Sequence, residues 1–440
     1  MKKILTRLNK VTEPTFLAKY HPDVGQATAL FGLPLEVKFC TSCVISNQRP
    51  SSAVEFRHNK NSKKKTISFD EEGVCAACKH NELKAKVDWT ARSLELQELC
   101  DRYRKDGQGY DCLVPGSGGK DSVYASHLLK SKYGMTPLTV TWAPNLYTDW
   151  GWANFQGWIN SGFDNYLVTP NPKTHRLLTR LAVENLFHPF QPFMIGQKLL
   201  APKVAALMDI QLVFYGENEA EYGNPVAQVK GDKREDKFFT TEHNHIHLGG
   251  VAIEELQSKY GLQTADLHHY LPIKDETIVT KGIEVHYLGH YERWHPQGAY
   301  YFAVENSGFQ PSPERTVGTY SKYNSIDDKI DDFHYYTTFI KFGIGRATYD
   351  AAQEIRNDEI TRDEGVALVK KYDGEYPLRF ENDVFNYLSI TENEYPRAYQ
   401  HFDQQRFDRD YFASLTDSFR SPHLWQFSNG KWKLRTSVRD

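Results

Sequence analysis

Between Asp111 and Lys130 the chain reads DCLVPGSGGKDSVYASHLLK, an apolar run, three glycines within four residues, and then an amphipathic segment. A buried strand that ends this way must turn tightly into a helix, which restricts the fold to strand–turn–helix architectures. Glycines let backbone N–H groups approach an anion closely, and a helix N-terminus adds partial positive charge. Ser117 and Ser122 offer hydroxyls, and Lys120 offers a point charge. Asp121 is ill suited to hold phosphate directly and suits a magnesium contact or a helix cap. Val114 stands where a Walker loop needs glycine, and Gly116-Ser117-Gly118-Gly119-Lys120-Asp121 breaks the dinucleotide fingerprint. What remains is an anion-binding turn of another kind, or a glycine-rich capped turn with no ligand.

The pattern after this turn alternates. Apolar runs at 137–142, 164–169 and 210–216 read as strands, with helices over 121–133 and 150–161 and long helical stretches up to 208. Such alternation predicts an α/β fold with a doubly wound, mostly parallel sheet. Ligands bind such sheets beyond the C-terminal strand ends. Residues 116–122, Trp142 and the GENEAEYG segment at 216–223 all fall there. In that segment Glu217 and Asn218, with Glu219 and Glu221, are candidates for magnesium or substrate contact. Three regions are expected: 1–106, 107–230 as the ligand-binding core, and a mainly helical 231–440 that completes the site.

Four of the six cysteines form two pairs, Cys40/Cys43 and Cys75/Cys78, within a compact module at 36–80. Four thiolates so arranged suit a structural, zinc-ribbon-like zinc site, with a redox pair or a buried set as alternatives. The basic run RHNKNSKKKT between the pairs reads as a solvated loop. Formal charge is −3, so no electrostatic footprint for nucleic acid is expected. No stretch reaches the ~20 apolar residues of a membrane span, and the expected location is cytoplasmic. His243, His245 and His247 alternate as a strand would place them on one face, which reads as a metal site or a polar edge. YLGHYERWHPQ (287–297) suits sugar stacking or buried packing equally.

Ser-Gly-Gly-Lys-Asp-Ser after a first strand resembles the signature of the PP-loop ATP pyrophosphatases (adenine nucleotide alpha-hydrolase-like). The resemblance implies ATP cleavage between its α and β phosphates, with the loop holding pyrophosphate and AMP passing to a substrate oxygen. Within that superfamily, three stretches are similar to the N-acetyl sugar amidotransferases of acetamidino-sugar biosynthesis: the cysteine module (39–82), the loop and second strand (113–142), and FIKFGIGRATYDAAQEIRNDEITRDEGVALVKKYDG (339–374). The last reads as a turn at Gly343 and Gly345 between helices, with Lys341 and Arg346 either reaching a triphosphate or lying on the surface of a helical hairpin.

The resemblance implies adenylylation of an acetamido oxygen of an N-acetylated sugar, nucleotide-linked or nonulosonic, followed by ammonia addition. The product is an acetamidino group for surface polysaccharide or flagellin glycans. ATP and Mg2+ are implied as cofactors, with Lys120, Asp121, Lys341 and Arg346 catalytic, and Gly116 to Ser122, Trp142, Glu217 and Asn218 around the nucleotide. Neither Cys100, in a helical pattern, nor Cys112, in a strand, sits where a glutaminase nucleophile belongs. Ammonia is therefore free or comes from a separate glutaminase subunit with a barrel partner, as the resemblance implies. A tRNA-modifying thiolase and a non-catalytic nucleotide-binding scaffold stay open; no cysteine follows Cys112 to carry sulfur.

Overall fold

Five short runs form one parallel sheet: β1 (Cys112–Pro115), β2 (Pro137–Trp142), β3 (Asn165–Val168), β4 (Leu212–Tyr215) and β5 (Glu284–Tyr287). The computed structural model describes residues 14–24, 27–224, 231–241 and 245–439. Strand order is β3-β2-β1-β4-β5, so the order reverses between β1 and β4. β1 runs beside β2 from Cys112↔Pro137 to Pro115↔Val140, and beside β4 from Cys112↔Leu212. Both faces of the central strands are covered, which is why they read as near-continuous apolar runs.

Alternate β1 residues serve opposite layers. Leu113 packs with Leu138, Val140 and Val213 against Ile195 and Leu199. Cys112 and Val114 pack with Leu212 and Phe214 against Leu96, Leu99, Ala125 and Leu129. The helices concerned are α2 (Trp89–Tyr103), α3 (Lys120–Ser131) and α6 (Gln191–Met208); α1 (Ala76–Lys84), α4 (Asp149–Asn160) and α5 (Pro172–Leu186) complete this half. Ahead of β1, residues 76–103 form two helices, α1 and α2. Asp88 separates them, accepting the N–H groups of Thr90 and Ala91 as an N-cap.

The region from 231 onward is helical but not wholly so. It supplies β5, which the sequence reading missed, and a hairpin of Trp425–Ser428 with Lys431–Leu434. β5 is only four residues long and carries Glu284 and His286, so neither length nor apolarity announces it. The helices that matter for the site are α7 (Pro296–Ser307), α8 (Asp331–Phe342), α9 (Arg346–Arg356) and α10 (Arg362–Tyr372). Gly343, at φ +67°, ends α8. Thr361 and Glu364 form a reciprocal capping box on α10, and Gly374 follows it at φ +82°. No described helix is long and apolar enough to cross a membrane.

The cysteine module packs on this C-terminal helical region. Val44, Ile45, Cys40 and Cys75 share a core with Ile344, Ala351, Ala352 and Val366. On its other side α1 meets the turn after β4: Lys84 Nζ lies 2.7 Å from Glu221 in a fully buried ion pair. The module therefore ties the sheet to α9.

Candidate active site and metal centre

The turn after β1 is glycine for steric reasons at two of its positions. A Cβ on Gly116 would lie 2.1 Å from Ser122 Cβ, and one on Gly118, at φ +84°, would lie 2.7 Å from the Asn154 carbonyl oxygen. Gly119 is different, since its nearest neighbour would be Ser117 Oγ at 3.8 Å. Gly119 precedes α3 without any side-chain cap, which leaves the first N–H groups of the helix without a capping side chain, as an anion site requires.

Lys120 and Asp121 open α3. Lys120 is buried, and its Nζ lies 2.6 Å from Asp121 Oδ2. The other carboxylate oxygen accepts the indole N–H of Trp294 at 2.8 Å. Ser122 turns its hydroxyl back to the Gly119 carbonyl at 2.9 Å, whereas Ser117 lies beside Asp327 and offsets part of the burial that raises its carboxyl.

Gly116, Ser117, Gly119, Lys120, Asp121 and Ser122 line a cavity of about 610 Å³ beyond the C-terminal ends of β1, β2 and β4, at the strand-order reversal where such sheets bind ligands. From β4 come Gly216 and Glu217. Burial and the charge of Asp121 raise the Glu217 carboxyl, which accepts a hydrogen bond from Tyr222 at 3.1 Å. Two carboxyls that repel each other at adjacent strand ends are a fitting pair for a divalent cation. Trp142 reaches the cavity from β2, its indole packed across Gly196 of α6.

Arg346, at the start of α9, also lines the cavity. It is buried, pairs with Asp350 at 3.2 Å and donates to Ser325 Oγ at 3.1 Å. Three expected site residues do not line the cavity: Gly118, which packs on the Asn154 backbone, Asn218 and Lys341. Asn218 is buried with its side chain capping the turn Glu219–Tyr222 through the Ala220 N–H, and it does not line the cavity. Lys341 ends α8 on the other side of the Gly343 turn and donates to the Leu186 carbonyl at 2.6 Å among Phe31, Phe342 and Phe419. Burial lowers its ammonium to about 7.

The four cysteines converge. All are buried, and their sulfurs lie within 4.8 Å of one another, with Cys40–Cys78 at 3.9 Å and Cys43–Cys75 at 3.8 Å. A tetrahedral zinc with Zn–S bonds of about 2.3 Å sets its sulfurs about 3.8 Å apart, so the set fits zinc. Cys40 Sγ also accepts the Cys43 and Cys75 N–H groups, at 3.4 and 3.3 Å, the outer hydrogen bonding a thiolate centre needs. His243 lies outside the described residues. His247 starts a two-residue strand, and no potential metal group among the described residues includes it or His245. Cys100 and Cys112 are fully buried in the sheet core.

Several cavity residues had no local signal. Asp327, Asp328 and Asp331 come from SIDDKIDD; all three line the cavity and burial raises their carboxyls, Asp328 to about 7. Arg49, beside a cysteine pair, lines the cavity, and Trp294, within YLGHYERWHPQ, stands behind it on Asp121; only the fold brings them there.

Residues 317–439 match the family described as "LPS biosynthesis protein WbpG-like, C-terminal domain". This stretch contains α8, α9 and α10, so the C-terminal region is similar to that of a lipopolysaccharide biosynthesis family. The uncharacterized protein MJ1599 of Methanocaldococcus jannaschii is 36% identical over 77 residues, 18% of this chain and 27% of that protein. The chain thus spans about a quarter of the length of that curated relative.

Proposed function

We propose that the chain is an ATP-dependent, AMP-forming amidotransferase that converts an acetamido group of an N-acetylated sugar to an acetamidino group. The observation that carries this reading is the uncapped glycine turn at the strand-order reversal, with Lys120, Asp121 and Glu217 beside it. The similarity of residues 317–439 to a lipopolysaccharide biosynthesis family supports a surface-glycan substrate.

In this reading the loop amides and Lys120 hold the β and γ phosphates, and Val140, Trp142, Met194 and Leu200 supply the apolar wall for adenine. Asp121 and Glu217 would hold Mg2+, which when bound neutralises phosphate charge. The acetamido oxygen attacks the α-phosphorus and pyrophosphate leaves. The nitrogen proton is lost, giving an O-adenylyl imidate. Ammonia adds to the imidate carbon and AMP departs, so one oxygen is exchanged for NH. The protein's contribution is positioning and charge stabilisation. Trp294 and Lys120 fix the Asp121 carboxylate, and Asp350 and Ser325 fix the Arg346 fork toward developing phosphate charge. The cavity walls exclude water, which would return the imidate to the amide.

Zinc in the four-cysteine site is structural in this reading. Ammonia comes from a separate glutaminase with a barrel partner, and the enzyme works in the cytoplasm without nucleic acid or membrane. A thiolase would need a cysteine facing the cavity, and none of the cavity-lining residues is one.

The test is turnover with ATP, ammonium chloride and a panel of nucleotide-linked and free diacetamido sugars. AMP and pyrophosphate in equal amounts, with a sugar changed in mass by the replacement of oxygen with NH, are expected. ADP and phosphate as products would overturn the reading.

A further inference from the structure

We infer that Arg49, Gln353 and Arg356 form an anion subsite that holds a carboxylate or phosphodiester group of the acceptor sugar, so that the cysteine module takes part in substrate recognition. This inference rests on the amidotransferase reading for the identity of the acceptor.

The cations of the cavity are not equivalent. Lys120 is paired with Asp121, and Arg346 with Asp350. Arg49 is only 7% exposed and lines the same cavity, yet it forms no ion pair among the described residues, and its Nη1 is buried without a hydrogen-bond partner. Its guanidinium carbon sits 5.9 Å from the Tyr349 ring centroid. Its backbone is pinned in the cysteine module, donating to Ser46 and accepting from Ile67.

Two donors on α9 join it. Gln353 lines the cavity with its Nε2 buried and unpartnered. Arg356 follows three residues later on the same helical face, anchored through Nη2 to the Glu221 carbonyl at 2.9 Å. An orphaned buried donor costs free energy unless a partner completes it. Two such donors and a second guanidinium, with no ion pair to a carboxylate among the described residues, are complementary to an anion, which the arginine fork binds through paired hydrogen bonds. Burial opposes the charge of Arg49 and outweighs what nearby Tyr349 offers it, and its Nη1 has no acceptor among the described residues. The loop amides and Lys120 already serve the ATP phosphates, which leaves this wall for the second substrate.

The experiment measures binding by calorimetry to the full-length, zinc-loaded protein. Ligands are N-acetylglucosamine (neutral), UDP-N-acetylglucosamine (phosphodiester) and N-acetylneuraminic acid (carboxylate), each with and without α,β-methylene ATP. At least one anionic sugar is expected to bind about tenfold or more tightly than the neutral one, and which of the two does so identifies the anion. Arg49→Gln should abolish the preference while leaving α,β-methylene ATP affinity unchanged, and Arg49→Lys should restore part of it. Zinc content and thermal melting check that both variants fold; if Arg49→Gln does not, Arg49→Lys and the wild-type panel still decide. Equal binding of neutral and anionic sugars overturns the subsite, as does an equal loss of ATP-analogue affinity in Arg49→Gln. Analogue binding without an Arg49-dependent anion preference sinks only the subsite. Arg49-dependent anion binding without analogue binding sinks the amidotransferase reading and leaves the subsite standing.

Discussion

Trp294 donates its indole N–H to Asp121 at 2.8 Å while its own carbonyl accepts from Lys84 at 2.7 Å. One buried tryptophan beyond β5 thus couples the first turn of α3 to the helix that carries Cys78. Among the described residues Asp121 has two hydrogen-bond partners, Lys120 and Trp294, and together they fix its carboxylate.

Replacing Trp294 with Phe keeps most of the buried ring and removes one donor to a charged acceptor. Such a bond contributes about 1.5–3 kcal/mol. If Asp121 must be oriented for pyrophosphate departure, kcat/KM should fall about tenfold or more, with zinc retained. Pyrophosphate release at varied ATP measures it. Unchanged kinetics would mean that the bond serves packing alone.

The loop glycines separate steric from functional need. Gly116→Ala forces a Cβ to within 2.1 Å of Ser122 Cβ and 3.0 Å of the buried Trp158 ring, so a lowered melting temperature is expected. Gly119→Ala meets nothing nearer than 3.8 Å and should melt near the wild type. Its methyl group would nonetheless crowd backbone N–H groups that a phosphate must approach, so ATP affinity should fall. Normal ATP binding by Gly119→Ala would remove that N–H from the phosphate site.

The four-cysteine centre makes a prediction about the cavity as well as about stability. Cys43 shares a core with Ala351 and Ala352 of α9, and α9 carries Arg346 into the cavity. Cys43→Ser, or chelation of the wild-type protein, should release zinc, lower the melting temperature and weaken ATP binding together. Metal analysis, calorimetry and melting on one sample test the coupling. Loss of zinc with intact ATP binding would show that the module is independent of the site.

The parts of this arrangement that could be read in the sequence are those whose chemistry is local. Strand, glycines and helix start are contiguous from Cys112 to Ser131, and the cysteine pairs announce themselves by spacing. Lys341 and Arg346 look equivalent in sequence, five positions apart, but the left-handed Gly343 ends one helix and the chain re-enters another. One side chain therefore faces the Leu186 carbonyl and the other the cavity. Arg49, Asp327 and Trp294 carry no signal because their roles arise from contacts across most of the chain. The acidic run SIDDKIDD becomes a cavity wall only through burial, and burial is a property of the fold.

That burial has a measurable cost at Asp332. The residue is 5% exposed with Oδ2 unpartnered, and burial raises its carboxyl from 3.8 to about 7 despite Arg379. Unfolded, the group ionises near its ordinary value, so between pH about 4 and about 7 the native state holds the extra proton. Stability through this group therefore falls as pH rises across that window and stays reduced above it. The buried, neutral His188 and His334 act in the opposite sense over an overlapping range, so the whole-protein profile does not isolate Asp332. A substitution does. Asp332→Asn retains size and polarity without ionising, and Asp332 does not line the cavity. Asn should raise stability by on the order of a few kcal/mol at pH 8 and much less at pH 5. Paired denaturant titrations of both proteins at the two pH values measure the difference. A gain that is the same at both would assign the effect to packing, and a loss at pH 8 would mean that the ionised carboxylate is held by Arg379 more strongly than burial opposes it.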